Sequence, residues 1–232
     1  MFTPHVKTAA DSPRRARPQS KSVSRPLKFI THSFRAISIA MRHGWLPGAR
    51  YSNLRDIRKF DRLGFLDIEW RDYNFGRHLS AARSTAPLVT VARDIDDLRN
   101  LNCTLDQAHE LLRHAERVIV VPKDPRFSRR VEELIPHEFD LGFSVPTRYG
   151  GTCIPVTAFS RSVHLLGGRP DVQRRLAKRL RVVSFDCNRF TLDAAFGDYF
   201  DGTTFRPHPV GGYDTCLEAS VLNINKLWRG YK

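Results

Sequence analysis

Asp186 is the residue of this chain best placed to do chemistry. It ends the strand-like run Val182-Val183-Ser184-Phe185 and precedes Cys187. A lone aspartate at a strand end usually caps the next helix, and burying one without a partner is costly. Here the pattern recurs. Asp67 follows Phe65-Leu66, Asp94 follows Val89-Thr90-Val91-Ala92-Arg93, and Asp124 follows Val118–Val121 with Pro122 and Lys123 between. Carboxylates on several strand ends would face one mouth. A pair of them at a sugar can divide the work: one attacks the anomeric carbon and the other moves protons. Glycines follow other strand ends, with Gly142 and Ser144 in one run, Gly150-Gly151 after it, and Gly167-Gly168-Arg169 after Val163–Leu166. Such glycines let backbone approach a planar base or a phosphate, although tight turns use them as well.

These groups need elements that bring strand ends together. Short apolar runs occur at 36–40, 65–68, 88–92, 118–121, 141–145, 163–166 and 182–185. Their lengths and their β-branched or aromatic content predict buried parallel strands. Helices are expected over 53–63, 104–115 (Thr104 and Gln107 in capping-box spacing), 125–135, 170–180 and 217–228; the third and fourth of these open on proline. Strands alternating with helices mean βα units, and in such folds ligands bind at the carboxyl ends of the strands. The expected fold is α/β, a compact (β/α)8 TIM-like barrel with one irregular unit, because an eighth strand is not evident. A doubly wound open sheet is the alternative.

The chain has 232 residues and a formal net charge of +14, which suits a polyanionic partner. Residues 1–28 carry seven basic residues against Asp11, with four prolines, and read as a disordered basic arm; residues 29–232 read as a single barrel catalytic domain. Arg148, Arg169, Arg174, Arg175 and Arg189 are the candidate phosphate contacts, and Tyr149, Phe143 or Phe190 could stack on a base. No apolar run is long enough to span a membrane, and the basic N-terminus lacks the apolar core of a secretory signal. The four cysteines form no CxxC or CxC pair, so no metal site is expected and reduced thiols in the cytoplasm are the simpler reading. His109 and His114 are five apart, and His164 sits inside an apolar strand; neither pattern resembles a zinc motif.

The block Val163-His164-Leu165-Leu166-Gly167-Gly168-Arg169-Pro170, followed by a helix and by Val183-Ser184-Phe185-Asp186-Cys187, resembles the tRNA-guanine transglycosylase superfamily. In that family a similar histidine strand and glycine loop precede the strand end that carries a nucleophilic aspartate. The resemblance implies Asp186 as nucleophile and Asp67, in Leu63-Gly64-Phe65-Leu66-Asp67, as general acid/base. It implies base recognition by Asp94, with Lys123, Gly142, Ser144, Gly167 and Gly168 also contacting substrate. Two features depart from the family pattern. The cysteine-rich zinc segment is absent, and Lys123 stands about where a strand bearing glutamine is expected. With the short chain, these departures point away from tRNA. They point toward the compact viral branch, the DNA 7-deazaguanine transglycosylases, which would act in a host cytoplasm. The co-substrate would be a free base such as 7-cyano-7-deazaguanine, with no other cofactor.

Two other classes use the same residues differently. A nucleic-acid-binding protein on a degenerate barrel needs the basic arm but not the aspartates. A hydrolytic N-glycosidase or DNA glycosylase uses the same two carboxylates and needs no incoming base.

Overall fold

The computed structural model describes residues 25–148 and 150–231. Eight strands run in parallel around a closed barrel: β1 (Leu27–Thr31), β2 (Leu46–Arg50), β3 (Phe65–Asp67), β4 (Val89–Val91), β5 (Arg117–Val120), β6 (Asp140–Ser144), β7 (Val163–Leu166) and β8 (Val182–Asp186). β8 closes onto β1, with Phe29 opposite Asp186. The fold is therefore the expected (β/α)8 barrel.

Helices α1 (Phe34–Met41), α2 (Phe75–Thr85), α3 (Leu101–Leu112), α4 (Val131–Leu134), α5 (Pro170–Leu176), α6 (Arg189–Ala195) and α7 (Tyr213–Trp228) lie between and after the strands. A short antiparallel hairpin, β9 (Asp198–Phe200) with β10 (Phe205–Pro207), separates α6 from α7. After β2 and after β6 there are only single 3-10 turns, at Arg55–Ile57 and Val156–Ala158, so two units are irregular rather than one.

Three local expectations are corrected. Residues 36–40 form part of α1, which Ser33 caps by accepting the Ala36 N–H. Residues 53–63 hold the 3-10 turn Arg55–Ile57 instead of an α-helix. α3 starts at Leu101, so Thr104 lies inside it and is not its cap. The barrel also begins earlier than expected. β1 starts at Leu27, inside the segment assigned to the basic arm, and Lys28 Nζ donates to Asn225 Oδ1 on α7 at 2.7 Å. Residues 1–24 of that arm lie outside the described residues.

Side chains alternate along each strand, so Phe65 and Asp67 share one face, as do Ser184 and Asp186. Inside the barrel, the rings of Phe29 and His164 both pack on Phe65, each 5.2 Å away. On the outer face of β8, Phe185 stacks on Trp228 of α7 at 4.6 Å and meets the edge of Trp45. Phe29, Phe65, Phe185 and Phe190 are fully buried, each contributing about 1.5–3 kcal/mol. This packing fixes the floor on which the mouth residues stand. Among the described residues, no helix is long and apolar enough to cross a membrane.

Candidate active site

Asp186 closes β8 at the mouth and is 5% exposed. Its Oδ1 accepts the Gly167 N–H at 2.9 Å and lies 3.4 Å from His164 Nε2. His164 is fully buried, and its Nδ1 is 2.8 Å from Ser184 Oγ. The Gly167 bond depends on a left-handed turn, with Gly167 at φ +60° and Gly168 at φ +84°. L side chains rarely take that conformation, which explains the glycine pair after β7. Gln173 of α5 completes the arrangement. Its Nε2 donates to Gly167 O at 2.7 Å and to Asp186 O at 2.8 Å, tying the two strand ends together. Among the described residues, nothing bonds Asp186 Oδ2.

Asp67, at the end of β3, is held by the Ile68 N–H at 2.8 Å. Burial, then the charges of Asp186 and Asp94, push its carboxyl up to about 7; the Ile68 N–H and the nearby Arg50 oppose the rise. Arg50 sits opposite Asp67 in the β2–β3 register and pairs with Glu69 at 3.1 Å. Asp94 follows β4 and pairs with Lys123 Nζ at 2.5 Å. Burial raises the Asp94 carboxyl, and Lys123 counters it in part. Asp67 therefore stands within electrostatic reach of both Asp186 and Asp94. Separated titration of neighbouring carboxyls is how acid and base roles are divided at one site. Asp124 is not part of this group. It accepts the Leu98 and Arg126 N–H groups and is paired with the Arg126 guanidinium, a capping role.

The other expected contacts divide. Ser144 ends β6 at the mouth, where its N–H donates to Thr152 Oγ1. Gly142 is enclosed: a Cβ there would lie 2.7 Å from methyls of Ile119 and Val121, so packing explains it and not a base. Phe143 and Phe190 are buried at 2% and 0% and belong to the core, while Tyr149 lies outside the described residues.

The arginines are scattered. Arg169 and Arg175 both pair with Asp171, and Arg189 pairs with Asp193. Arg148 is exposed on the loop after β6. Arg174 lies over Trp228 and Tyr231, and the Tyr231 hydroxyl accepts the Val182 N–H at the start of β8. That places Arg174 at the end of the barrel away from the mouth, so it does not belong with the other four. Gln173 and Arg50 were missed in the sequence. Gln173 carried a signal: it sits three residues after Pro170 on the inward face of α5, where an apolar residue is expected.

Among the described residues, no group of three or more His, Cys, Asp or Glu is arranged to hold a metal ion. All four cysteines are free, with Cys187 and Cys216 buried and Cys103 and Cys153 exposed.

The fold is shared with solved structures. A protein of Coccidioides immitis described as a candidate fructose-1,6-biphosphate aldolase superposes with a TM-score of 0.59 at 12% identity, covering 89% of this chain and 92% of that one. The YdjI aldolase from Escherichia coli K12 gives 0.51 at 13% identity, with the same coverage of both chains. At such identity the likeness is one of fold. No curated protein matches in sequence. A family profile does, over residues 40–229, a span that includes every aspartate of the mouth. The chain belongs to this family, described as a family of unknown function (DUF6610).

Proposed function

We propose that this chain is a base-exchanging pentosyltransferase that replaces guanine in DNA with a 7-deazaguanine. The observation that carries the reading is the pair at the mouth: Asp186, anchored by Gly167 and His164, beside Asp67, whose carboxyl holds its proton to about 7. One carboxylate is oriented to attack while its neighbour stores a proton near neutral pH, as a two-step displacement requires.

In the first step, Asp186 attacks the anomeric carbon of the target nucleotide. The bond from that carbon to guanine breaks, its electron pair leaves with the base, and Asp67 gives the departing base a proton. A covalent ester between Asp186 and the sugar remains. In the second step, Asp67 takes the ring N–H proton of the incoming deazaguanine. The freed nitrogen then attacks the anomeric carbon and displaces Asp186. Asp94 accepts N–H groups of the base edge, and Lys123 holds Asp94 for that task. The target nucleotide must leave the duplex stack, at a cost of a few kcal/mol. The preference for DNA over tRNA rests on the resemblance described above and on the absence of its zinc segment. The aldolase activity named for the structural neighbours is not carried over to this chain.

The test is incorporation of labelled guanine into duplex DNA and into tRNA by the purified chain and by Asp186→Asn. Incorporation into DNA that is lost in the variant supports the proposal. Undiminished exchange by Asp186→Asn refutes the nucleophile. Release of guanine without incorporation identifies a hydrolase instead.

A further inference from the structure

Three arginine–aromatic pairs line one sector of the barrel mouth and take no part in the chemistry above. Trp70 lies three residues after Asp67, in the loop from β3 to α2, and is 56% exposed. The Arg71 guanidinium lies over its ring, 4.9 Å from the centroid. Tyr73, in the same loop, carries Arg93 over its ring at 5.9 Å, and Arg93 follows β4. Tyr51, just after β2, has Arg77 at 6.0 Å. Strands β2, β3 and β4 are hydrogen-bonded neighbours, so these residues form one continuous rim with Asp67 at its centre.

Two independent observations indicate what covers this rim. The chain has three tryptophans, and the other two, Trp45 and Trp228, are 2% and 3% exposed. Trp70 is the one large apolar side chain exposed on this rim among the described residues. Charge is the second observation. Arg71, Arg77 and Arg93 make no ion pair among the described residues. On the opposite side, after β7 and β8, Arg169 and Arg175 share Asp171 and Arg189 pairs with Asp193, so every one of these arginines has a carboxylate partner. Of the acids in the Trp70 loop, Glu69 is paired with Arg50, which leaves Asp72 against three arginines. An exposed ring interleaved with unpaired cations matches a single nucleic-acid strand, whose bases stack and whose phosphates need neutralising. A membrane surface would call for a broader apolar face than one indole.

We propose that this rim binds the nucleic-acid strand next to the target nucleotide. A flanking base stacks on Trp70, opposite the face covered by Arg71, and phosphates lie along Arg71, Arg77 and Arg93. The proposal rests on the nucleic-acid reading of the adjoining site and moves the polyanion surface from the β7–β8 side to the β2–β4 side.

The test uses the full chain and a single-stranded oligonucleotide, read by tryptophan emission and by anisotropy of a dye on the oligonucleotide. Because Trp45 and Trp228 are buried, quenching reports on Trp70. The expected result is quenching on binding, with affinity at least roughly tenfold weaker in Trp70→Ala, a typical loss for one base–aromatic stack. Trp70→Phe keeps a ring and recovers most of the binding. Arg71→Ala with Arg93→Ala gives a shallower dependence of affinity on salt. A wild-type chain that binds without quenching, and Trp70→Ala that binds equally well, overturn the rim and leave base exchange standing. A wild-type chain that binds neither the single-stranded oligonucleotide nor duplex DNA overturns both, and one that binds only duplex DNA overturns the rim alone. Quenching by phosphatidylserine vesicles and not by the oligonucleotide assigns the rim to a membrane surface and overturns the proposal.

Discussion

Replacing Asp67 with asparagine should stabilise the fold at neutral and alkaline pH while abolishing exchange. Burial and the neighbouring Asp186 and Asp94 carry the Asp67 carboxyl from an ordinary 3.8 to about 7. The folded chain therefore holds this proton more tightly than the unfolded chain does. Below about pH 4 both states are protonated, and the group costs nothing. Between about pH 4 and 7 the unfolded state ionises and the folded state does not, so stability falls by roughly 1.4 kcal/mol per pH unit. Above 7 the penalty is complete, at about 4 kcal/mol as an upper bound. The side chain reaches the mouth, where water screens it, so about 2–3 kcal/mol is the working expectation. The amide that replaces the carboxyl in Asp67→Asn carries no charge and keeps an oxygen for the Ile68 N–H. Urea unfolding of both proteins across this pH range is the assay. The stability difference in favour of Asp67→Asn should be near zero at acid pH, grow through the middle of the range and level off above 7. A difference that does not change with pH would refute the reasoning, because Asp67 would then titrate as an ordinary surface carboxylate.

Other substitutions probe the supports of the site. Gln173→Leu leaves Gly167 O and Asp186 O without their donor, which should cost about 2–4 kcal/mol in urea unfolding and lower kcat through the loss of Asp186 alignment. Gly142→Ala pushes a methyl against Ile119 and Val121, so Tm should drop by several degrees in calorimetry, as expected for about 1–3 kcal/mol of overpacking. Lys123→Met removes the main group opposing the upward shift of Asp94. The acid limb of the kcat/KM profile should then move to higher pH, with activity partly recovered as pH rises; an unmoved limb would detach Asp94 from base recognition.

The strands that carry the aspartates were readable in the sequence because each is a short buried run. Phe65–Asp67, Val89–Val91 and Val182–Asp186 show the continuous apolar, β-branched or aromatic character of parallel strands covered on both faces. The two strands that were not readable lack that character. β1 contains Lys28, whose charge is accommodated because Asn225, 197 residues away, accepts its hydrogen bond. β2 contains Pro47 and Gly48, both of which argue locally against a strand. A Cβ at Gly48 would collide with the Thr31 hydroxyl and crowd the carbonyls of Ile30 and Phe65, which favours glycine there. Residues 36–40 show the converse: an apolar run of strand length became helical once Ser33 supplied a cap. In the site, Asp67, Asp94 and Asp186 could be found by position alone, since strand ends converge in any barrel. Gln173 and the pairing of Lys123 with Asp94 depend on which strands become neighbours. The arginines were harder still, because a positive side chain does not announce whether an aspartate two to four residues away already neutralises it, as Asp171 and Asp193 do here.

Base exchange through Asp186 requires a covalent bond between its carboxylate and the sugar. Incubating the chain with DNA in the absence of an incoming base, then denaturing and digesting it, should yield a peptide containing Asp186 that carries a nucleotide adduct, absent from Asp186→Asn. An adduct on any other residue, or exchange that proceeds in full with Asp186→Asn, would contradict the account.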